Sequence, residues 1–380
     1  MSQTELPSVC SLNELAGKYV FVRTSLNVPV KDGVVVNQFR LMRGLPTINL
    51  LRSKGARVIM CSHIGDDGTD SLEPVYNVLK EHMPLRFSPE VVGSKTSALR
   101  DELQNGEVLL LENVRKDPRE KKNDADFARA LADLADIFVM EDFPAAHREH
   151  ASVVGVPVFL PSYIGMNFKH ELDELTRALE PKSPALFLLG GAKFDTKMPL
   201  VEKFLELYDH VFIGGALAND LLKAKGYEVG TSLVSDISLV DSPLLQHSKL
   251  LIPIDVTVDG PQGRRVCAPD AVGKDEAILD SGPETTIMLA ALISNAKTIL
   301  WNGPFGNYER GFEEETVATA KLIAASSAYS VLGGGDTIAA IESLGVQEKF
   351  SFLSTAGGAM LTFLELGTLP AIEAILKRTN

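Results

Sequence analysis

The segment ALFLLGG, residues 185–191, reads as a buried parallel strand that feeds a helix through a glycine turn. The same design returns in HVFIGG (210–215), YSVLGGG (329–335) and FSFLSTAGG (350–358). Each apolar run ends on paired glycines, and a helix-like stretch follows. A turn without side chains lets backbone N–H groups and the helix dipole approach an anion closely. In a parallel sheet all such turns lie along one edge, so the four point to one shared ligand site. Glycine-rich turns are common in α/β proteins, and one alone decides nothing. The four together, with lysine and aspartate placed inside them, point to a phosphate-bearing nucleotide.

Working outward, the first half alternates strand and helix in the same way. KYVFVR (18–23), ARVIMCS (56–62), EVLLLENVR (107–115) and DIFVMEDF (136–143) are apolar strand patterns. LPTINLLRSKG (45–55), LEPVYNVLKEHM (72–83) and NDADFARALADLAD (123–136) are amphipathic helices between them. This is the βαβ rhythm of a mostly parallel sheet covered on both faces. A helix over 164–179, IGMNFKHELDELTRAL, follows Pro161 and stops before Pro181 and Pro184. The expected fold is therefore α/β, with two doubly wound, Rossmann-like parallel-sheet domains joined by that interdomain helix. A chain of 380 residues that is 45% hydrophobic has the material for two such cores.

Where the second half has glycines at its strand ends, the first half has cations. Arg23 ends the first strand, His63 follows the second, Arg115 follows LLLEN, and His147 and Arg148 follow VMEDFPAA. Arg40 opens the helix that contains LPTINLL. Strand C-termini in one sheet converge, so these side chains are placed to hold a small, multiply anionic molecule. The His147-x-x-His150 spacing suggests a metal pair, but no carboxylate or cysteine pattern accompanies it, and it is set aside.

A net charge of −13 argues against nucleic acid or an anionic membrane surface as the main partner. Three scattered cysteines, Cys10, Cys61 and Cys267, fit a reducing compartment better than a disulfide framework or a zinc site. No apolar run reaches membrane-spanning length, and the opening MSQTELPSVCSLNEL lacks a secretion signal's apolar core. A cytoplasmic location is expected. Neither GxxxxGK[ST] nor a strand-linked GxGxxG is present, and the HRD and DFG kinase motifs are missing. What remains is a basic cup in one domain and a nucleotide cradle in the other, which suits phosphoryl transfer between them.

At the level of motifs the chain resembles the phosphoglycerate kinase family. LNVPV (26–30), NQFRLMRGLPTI (37–48), SHIG (62–65), LLLENVR (109–115) and AAHREHAS (145–152) resemble its N-terminal half. LGGAKFDTK (189–197), IGGALANDLLKAKGYEVG (213–230), DSGPET (280–285), WNGPFGNYE (301–309), LGGGDT (332–337) and STAGGA (354–359) resemble its C-terminal half. The motifs run in family order from about residue 12 to 375, nearly the whole chain.

The resemblance implies reversible transfer between 1,3-bisphosphoglycerate with MgADP and 3-phosphoglycerate with MgATP. It implies an acceptor domain over 1–163, completed by 369–380, and a nucleotide domain over 164–368 that includes the connector helix. Lys193 matches the lysine that neutralises the phosphoryl group in flight, and Lys197 the one that binds nucleotide phosphates. Gly214, Gly215, Gly282 and Pro304 match positions around the adenosine, with Gly191 and Asn302 in the same nucleotide set. Glu309 matches the acid that reaches the ribose. Asp336 matches the Mg²⁺ carboxylate, with Gly334, Gly335 and Thr337 around the phosphates. Charge spread over the transferring oxygens needs positioned cations and N–H donors, the roles implied for Arg40, Lys193, Lys197, Gly357 and Gly358. On the acceptor side the implied ligands are Ser25, Asn27, Arg40, His63, Arg115, His147 and Arg148. A monomer, small-molecule substrates and hinge closure about the connector helix complete what the resemblance implies.

The acceptor half departs from the family pattern. The usual Asp-Phe-Asn is here Ser25-Leu26-Asn27, and the usual SHLGRP is SHIGDD, so Asp66 replaces an arginine expected on the 3-phosphate. The usual Asn-Asp-Ala-Phe-Gly-Thr-Ala-His-Arg reads MEDFPAAHR over 140–148. Lys116 stands where phenylalanine is usual, placed either to restore some positive charge to the cup or to point into solvent; Thr196 stands where aspartate is usual, and Ala216 and Ala356 where many members have glycine. Losing one charge-assisted contact costs roughly 1.5–3 kcal/mol, on the order of ten- to hundredfold in affinity. Acceptor binding is expected to be weakened or retuned while nucleotide binding is kept. A paralogue acting on another acceptor, or a nucleotide-binding regulator without catalysis, are the alternatives. Retention of both Arg40 and Lys193 speaks against the regulator, since binding ADP requires neither.

Overall fold

The computed structural model describes residues 6–379, so residues 1–5 and 380, the outermost ends of the expected acceptor domain, lie outside it. The chain divides into two compact units, Met1–Asp173 with Leu366–Asn380, and Glu174–Glu365. The boundary falls inside the connector helix and not at its start.

In the first unit the elements run β1 (Tyr19–Arg23), β2 (Val30–Lys31), β3 (Val34–Val35), α1 (Phe39–Ser53) and β4 (Arg57–Cys61). They continue with α2 (Glu73–Leu79), β5 (Leu85–Phe87), α3 (Ser94–Asp101), β6 (Val108–Leu110) and α4 (Ala125–Ala132). Then come β7 (Ile137–Met140), β8 (Ser162–Ile164) and the connector α5 (Met166–Ala178). The main sheet has the order β5-β6-β4-β1-β7-β8 with every pairing parallel. Val20, Val22, Val58, Met60 and Val108 pack with Ile48 and Leu51 of α1 and Val75 and Leu79 of α2. The β2–β3 hairpin stands apart as an antiparallel pair between Asn27 and Arg40.

The connector is tied down at its N-terminus by side chains of this unit. The Glu141 carboxylate, just past β7, accepts the Asn167 and Phe168 amides, each at 3.2 Å. Thr47 Oγ1 accepts the Met166 amide at 2.8 Å. These contacts satisfy helix N–H groups that have no partner within the helix. Burial pushes the Glu141 carboxyl up to about 7, against the three hydrogen bonds that favour its charged form.

In the second unit β9 (Ala185–Leu189), α6 (Met198–Leu207), β10 (His210–Ile213), α7 (Ala216–Ala224) and β11 (Leu250–Leu251) come first. An antiparallel trio follows, β12 (Val256–Asp259), β13 (Arg265–Cys267) and β14 (Ala277–Ser281). The remainder is α8 (Pro283–Asn295), β15 (Thr298–Asn302), α9 (Glu314–Ala325), β16 (Tyr329–Gly333), α10 (Gly335–Leu344), β17 (Phe352–Leu353) and α11 (Gly357–Leu366). The parallel sheet runs β11-β10-β9-β15-β16-β17, a doubly wound order whose direction reverses between β9 and β15. Both of those strands are buried along their whole length, because helices cover both faces of the sheet. On one face Leu186, Leu188, Ile299, Trp301 and Leu332 meet Leu289, Ile293, Ala320 and Ile341 from the helices. On the other, Phe187 packs on Phe204 of α6 at 4.4 Å between ring centroids.

The last helix, α12 (Pro370–Thr379), belongs to the first unit, where the Ala371 amide donates to the Ala146 carbonyl at 3.1 Å. Among the described residues no single helix is long and apolar enough to cross a membrane. Because Phe187 is fully buried between α6 and the sheet, Phe187→Ala should destabilise the second unit by about 3–5 kcal/mol in urea unfolding. A loss below about 1 kcal/mol would show that this ring is not part of a packed core.

Candidate active site

The cationic strand ends of the first unit are organised around one buried group. Arg23, at the end of β1, is only 1% exposed. Its Nη1 donates to Asp142 Oδ2 at 2.6 Å and to the Thr24 carbonyl at 2.9 Å. Its Nε donates to Ser152 Oγ at 2.9 Å, and Ser152 Oγ in turn donates to the buried carboxylate of Glu120. Its Nη2 lies 2.9 Å from His63 Nδ1. A guanidinium can only donate, so His63 Nδ1 must be the acceptor and the ring proton sits on Nε2. Burial and then Arg23, Arg115 and Arg40 depress the His63 pKa strongly, which keeps the ring neutral. Arg23 is thus not a ligand in the cup; it lies beneath it and fixes the histidine above.

Around this floor, Arg115 Nη1 donates to the Gly65 carbonyl at 2.7 Å and to Asp66 Oδ1 at 2.9 Å. The Asp66 side chain is fully exposed, while that of Arg115 is nearly buried and its Nε has no partner among the described residues. Burial and Arg23 lower the Arg115 pKa, and Asp66 opposes that shift. Asp66 therefore turns outward, yet it neutralises part of the arginine that remains. Lys121 reaches the Asp66 backbone carbonyl. Lys116 does not restore charge to the cup, because its ammonium is paired with the buried Glu112 at 2.7 Å. Arg40 Nη1 donates to the Asn27 carbonyl at 2.6 Å, and Asn27 Oδ1 accepts the Gly65 amide at 3.1 Å. Ser25 Oγ is buried without a partner among the described residues, as is Nδ1 of the half-buried His147. Arg148 is exposed. Burial, Arg115 and Arg23 lower His150 to about 4.

In the second unit the glycine turns meet backbone to backbone. A Cβ on Gly190 would collide with the Pro304 and Gly303 carbonyls, and one on Gly215 would lie 2.7 Å from the Gly191 amide nitrogen. The Trp301 indole N–H donates to the Gly303 carbonyl at 2.9 Å and fixes the turn after β15. Beside these turns lies a cavity of about 310 Å³, within the range of small-molecule sites. Gly191, Gly215, Pro304 and Asp336 line it, together with Asn219, Leu233 and the segment from Ile278 to Ser281. Lys193, two residues past Gly191, is exposed and left-handed, with φ 65° and ψ 73°. For a side chain other than glycine that conformation costs on the order of 1–2 kcal/mol, so the surrounding loop must hold it. Lys197 is half-buried, and burial lowers its pKa.

Other expected nucleotide residues lie off the cavity wall. Gly214 packs on the Phe305 ring, and Gly282 leaves room for Asp255, whose carboxylate caps α8 through the Glu284 and Thr285 amides. Asn302 is buried with its amide toward Met360. Glu309 sits exposed in a short turn, next but one to the cavity residue Asn307. Gly334, Gly335, Asp336 and Thr337 form the start of α10, where the Thr337 hydroxyl is buried without a partner among the described residues. Gly357 and Gly358 open α11, with the position of a Gly357 Cβ 3.6 Å from Gly334 Cα. The N-termini of α10 and α11 are thereby brought together.

Some residues in these sites carried no motif to announce them. Asp142 and Lys121 owe their places to contacts made from distant parts of the chain. Asp280, on the cavity wall, has its carboxyl pushed up to about 8 by burial, which holds it neutral at moderate pH. A DSGP turn signal marks the position but not the burial.

The sequence matches the phosphoglycerate kinase family over residues 10–366. It is 40% identical to the phosphoglycerate kinase of Azorhizobium caulinodans, covering 97% of this chain and 100% of that protein. It is 42% identical to that of Thermus thermophilus, covering 94% and 97%. Among solved structures, phosphoglycerate kinase from Coxiella burnetii aligns with a TM-score of 0.84 at 37% identity, covering 99% of this chain and 100% of that one. The enzyme from Pyrococcus horikoshii aligns with a TM-score of 0.83 at 31% identity, covering 98% of each.

The depressed His63 has a consequence for acid stability. Below about pH 6.5 the unfolded chain takes up a proton on this ring that the folded chain refuses, so His63 reduces stability as pH falls. His63→Gln should therefore lose less stability than the wild type between about pH 6.5 and pH 5. Parallel losses in the two proteins would contradict a neutral, Arg23-bound ring.

Proposed function

The chain belongs to the phosphoglycerate kinase family, and from that premise we propose that it catalyses reversible phosphoryl transfer between 1,3-bisphosphoglycerate with MgADP and 3-phosphoglycerate with MgATP. The observation that carries the assignment of the second unit to the nucleotide is the convergence of Gly191, Gly215, Pro304 and Asp336 on one cavity beside Lys193. In this reading adenosine enters the cavity and the phosphates lie along the paired N-termini of α10 and α11. Backbone N–H groups at Gly334, Gly335, Gly357 and Gly358 then face the anion with no side chain between.

Mg²⁺ fits this site as a passenger of the nucleotide. Among the described residues no three His, Cys, Asp or Glu side chains cluster to hold a metal alone. One exposed carboxylate, Asp336, suffices for an ion that takes most of its shell from phosphate oxygens and water. Bound there, the ion would neutralise charge on the phosphate oxygens.

The acceptor belongs to the first unit. Neutral His63 donates from Nε2, Asn27 and Ser25 supply polar contacts, and Arg40, Arg115, His147 and Arg148 face the carboxylate and phosphate. Asp66 holds part of Arg115, so the acceptor's phosphate competes with a tethered carboxylate for the same guanidinium. The transferring group, with charge spread over its oxygens, is stabilised by Arg40 and Lys193, and Lys197 holds the nucleotide phosphates. Transfer requires the two ligands to meet with water excluded, and the reading assigns that motion to a hinge at α5. A cytoplasmic monomer that acts on small molecules completes it.

A coupled assay with 3-phosphoglycerate and MgATP tests the proposal, with the acceptor raised to high millimolar concentration. Turnover with an elevated KM for the acceptor is expected, and its absence with MgADP binding intact would overturn the assignment. Lys193→Ala should lower kcat by about a hundredfold or more while MgADP binding changes little. Loss of both together would mean that Lys193 serves only to bind nucleotide.

A further inference from the structure

The left-handed turn at Lys193 needs an anchor, and the hydrogen bonds identify one. The amide of Phe194, the next residue, donates to Ser235 Oγ at 3.0 Å. Ser235 Oγ donates onward to Asp220 Oδ2 at 3.1 Å, and the Ser235 amide donates to Asp220 Oδ1 at 2.7 Å. Asp220 is 6% exposed and lies in α7. A hydroxyl that donates to a carboxylate is a stronger acceptor for a second donor, because the two bonds polarise each other. The Phe194 amide is therefore held by a charge-backed relay from a rigid helix.

The segment that carries Ser235, residues 229–235, also reaches the nucleoside cavity as a strap. Leu233 lines that cavity and is 65% exposed, and its carbonyl accepts from Asn219 Nδ2 at 3.0 Å. Asn219 and Asp220 are adjacent in α7, so one turn of helix holds the cavity wall and the lysine's anchor together. Ser232, earlier in the strap, accepts the Ile278 amide at 2.8 Å, which ties it to another residue of the cavity lining. Every partner in this chain of contacts lies within the second unit.

We propose that Ser235, backed by Asp220, is a positioning residue that sets Lys193 for phosphoryl transfer by holding the Phe194 amide, and that the strap links this setting to the filled nucleoside cavity. The inference rests on the reading of Lys193 as the lysine that meets the transferring group. Ser235 touches neither substrate in this account. It acts on the direction in which Lys193 leaves the backbone.

Three readouts on the full-length protein test it: the single-turnover transfer rate at saturating substrates, Kd for MgADP, and hydrogen exchange at the Phe194 amide. In Ser235→Ala the transfer rate should fall roughly tenfold, Kd should stay within about twofold, and the amide should exchange at least about tenfold faster. Binding of MgADP should slow Phe194 exchange in the wild type and not in the variant. Ser235→Thr, which keeps the hydroxyl, should restore both rate and protection. An unchanged transfer rate in Ser235→Ala, a rate loss with the amide still protected, or no rescue by threonine would each overturn the proposal. Should Ser235→Ala not fold, Asp220→Asn is judged on the same readouts, with a smaller loss of rate and protection expected and no change contradicting it. Failure of the kinase reading looks different. The wild type itself would then show no transfer, the catalytic role of Ser235 would fall with it, and altered exchange would record only a local anchor.

Discussion

The first unit depends on one buried positive charge. An arginine at 1% exposure is tolerable only with its donors satisfied and its charge balanced; Asp142, Ser152, the Thr24 carbonyl and His63 take its donors, and the Asp142 carboxylate faces its charge. Removing Asp142 would leave that charge unpaired, a change that typically costs about 3–5 kcal/mol. The order of the cup follows from this network. Arg23 orients His63 and fixes its tautomer, and Ser152 fastens the segment after Arg148 to the sheet. The Asp142 position is alanine in the usual family sequence, and Ser25 stands where the family has aspartate. The unit keeps a balanced core charge, while the place that would meet the acceptor's hydroxyl carries only a neutral side chain.

The second unit rests on a steric constraint instead. The turns after β9, β10 and β15 come so close that side chains at Gly190, Gly215 or Gly303 would strike backbone atoms. Backbone N–H groups are thereby left open to a phosphate, and loop reorganisation is limited. Lys193 is the one cation in that frame whose backbone is itself strained, which is why its anchoring matters more than its exposure.

Much of this was legible in the sequence. The glycine turns announced the second sheet, and the βαβ rhythm announced the first, because strands covered on both faces must be apolar throughout. Cations at strand ends were readable for the same topological reason. Contacts that depend on folding were not. The sequence shows an arginine ending β1 but not that it is buried, so Arg23 reads as a ligand when it is a support. Lys116 reads as a replacement charge until Glu112 is seen beside it. The relay from Asp220 through Ser235 joins helix α7 to a loop residue 15 positions further on, and that loop has no regular pattern from which periodicity could announce the contact. Gly282 shows the same limit from the other side: its motif is plain, but its lack of a side chain serves the Asp255 cap.

On the function proposed above, this phosphoglycerate kinase has a thinned acceptor cup beside an intact nucleotide cradle. The most direct test is calorimetric titration of 3-phosphoglycerate into the wild type and into Asp66→Arg, with MgADP titrated into both as the internal standard. The account predicts that Asp66→Arg binds 3-phosphoglycerate at least about tenfold more tightly, with MgADP affinity unchanged. Equal acceptor affinity in the two proteins would contradict it, because the Asp66–Arg115 pair would then be irrelevant to the acceptor's phosphate.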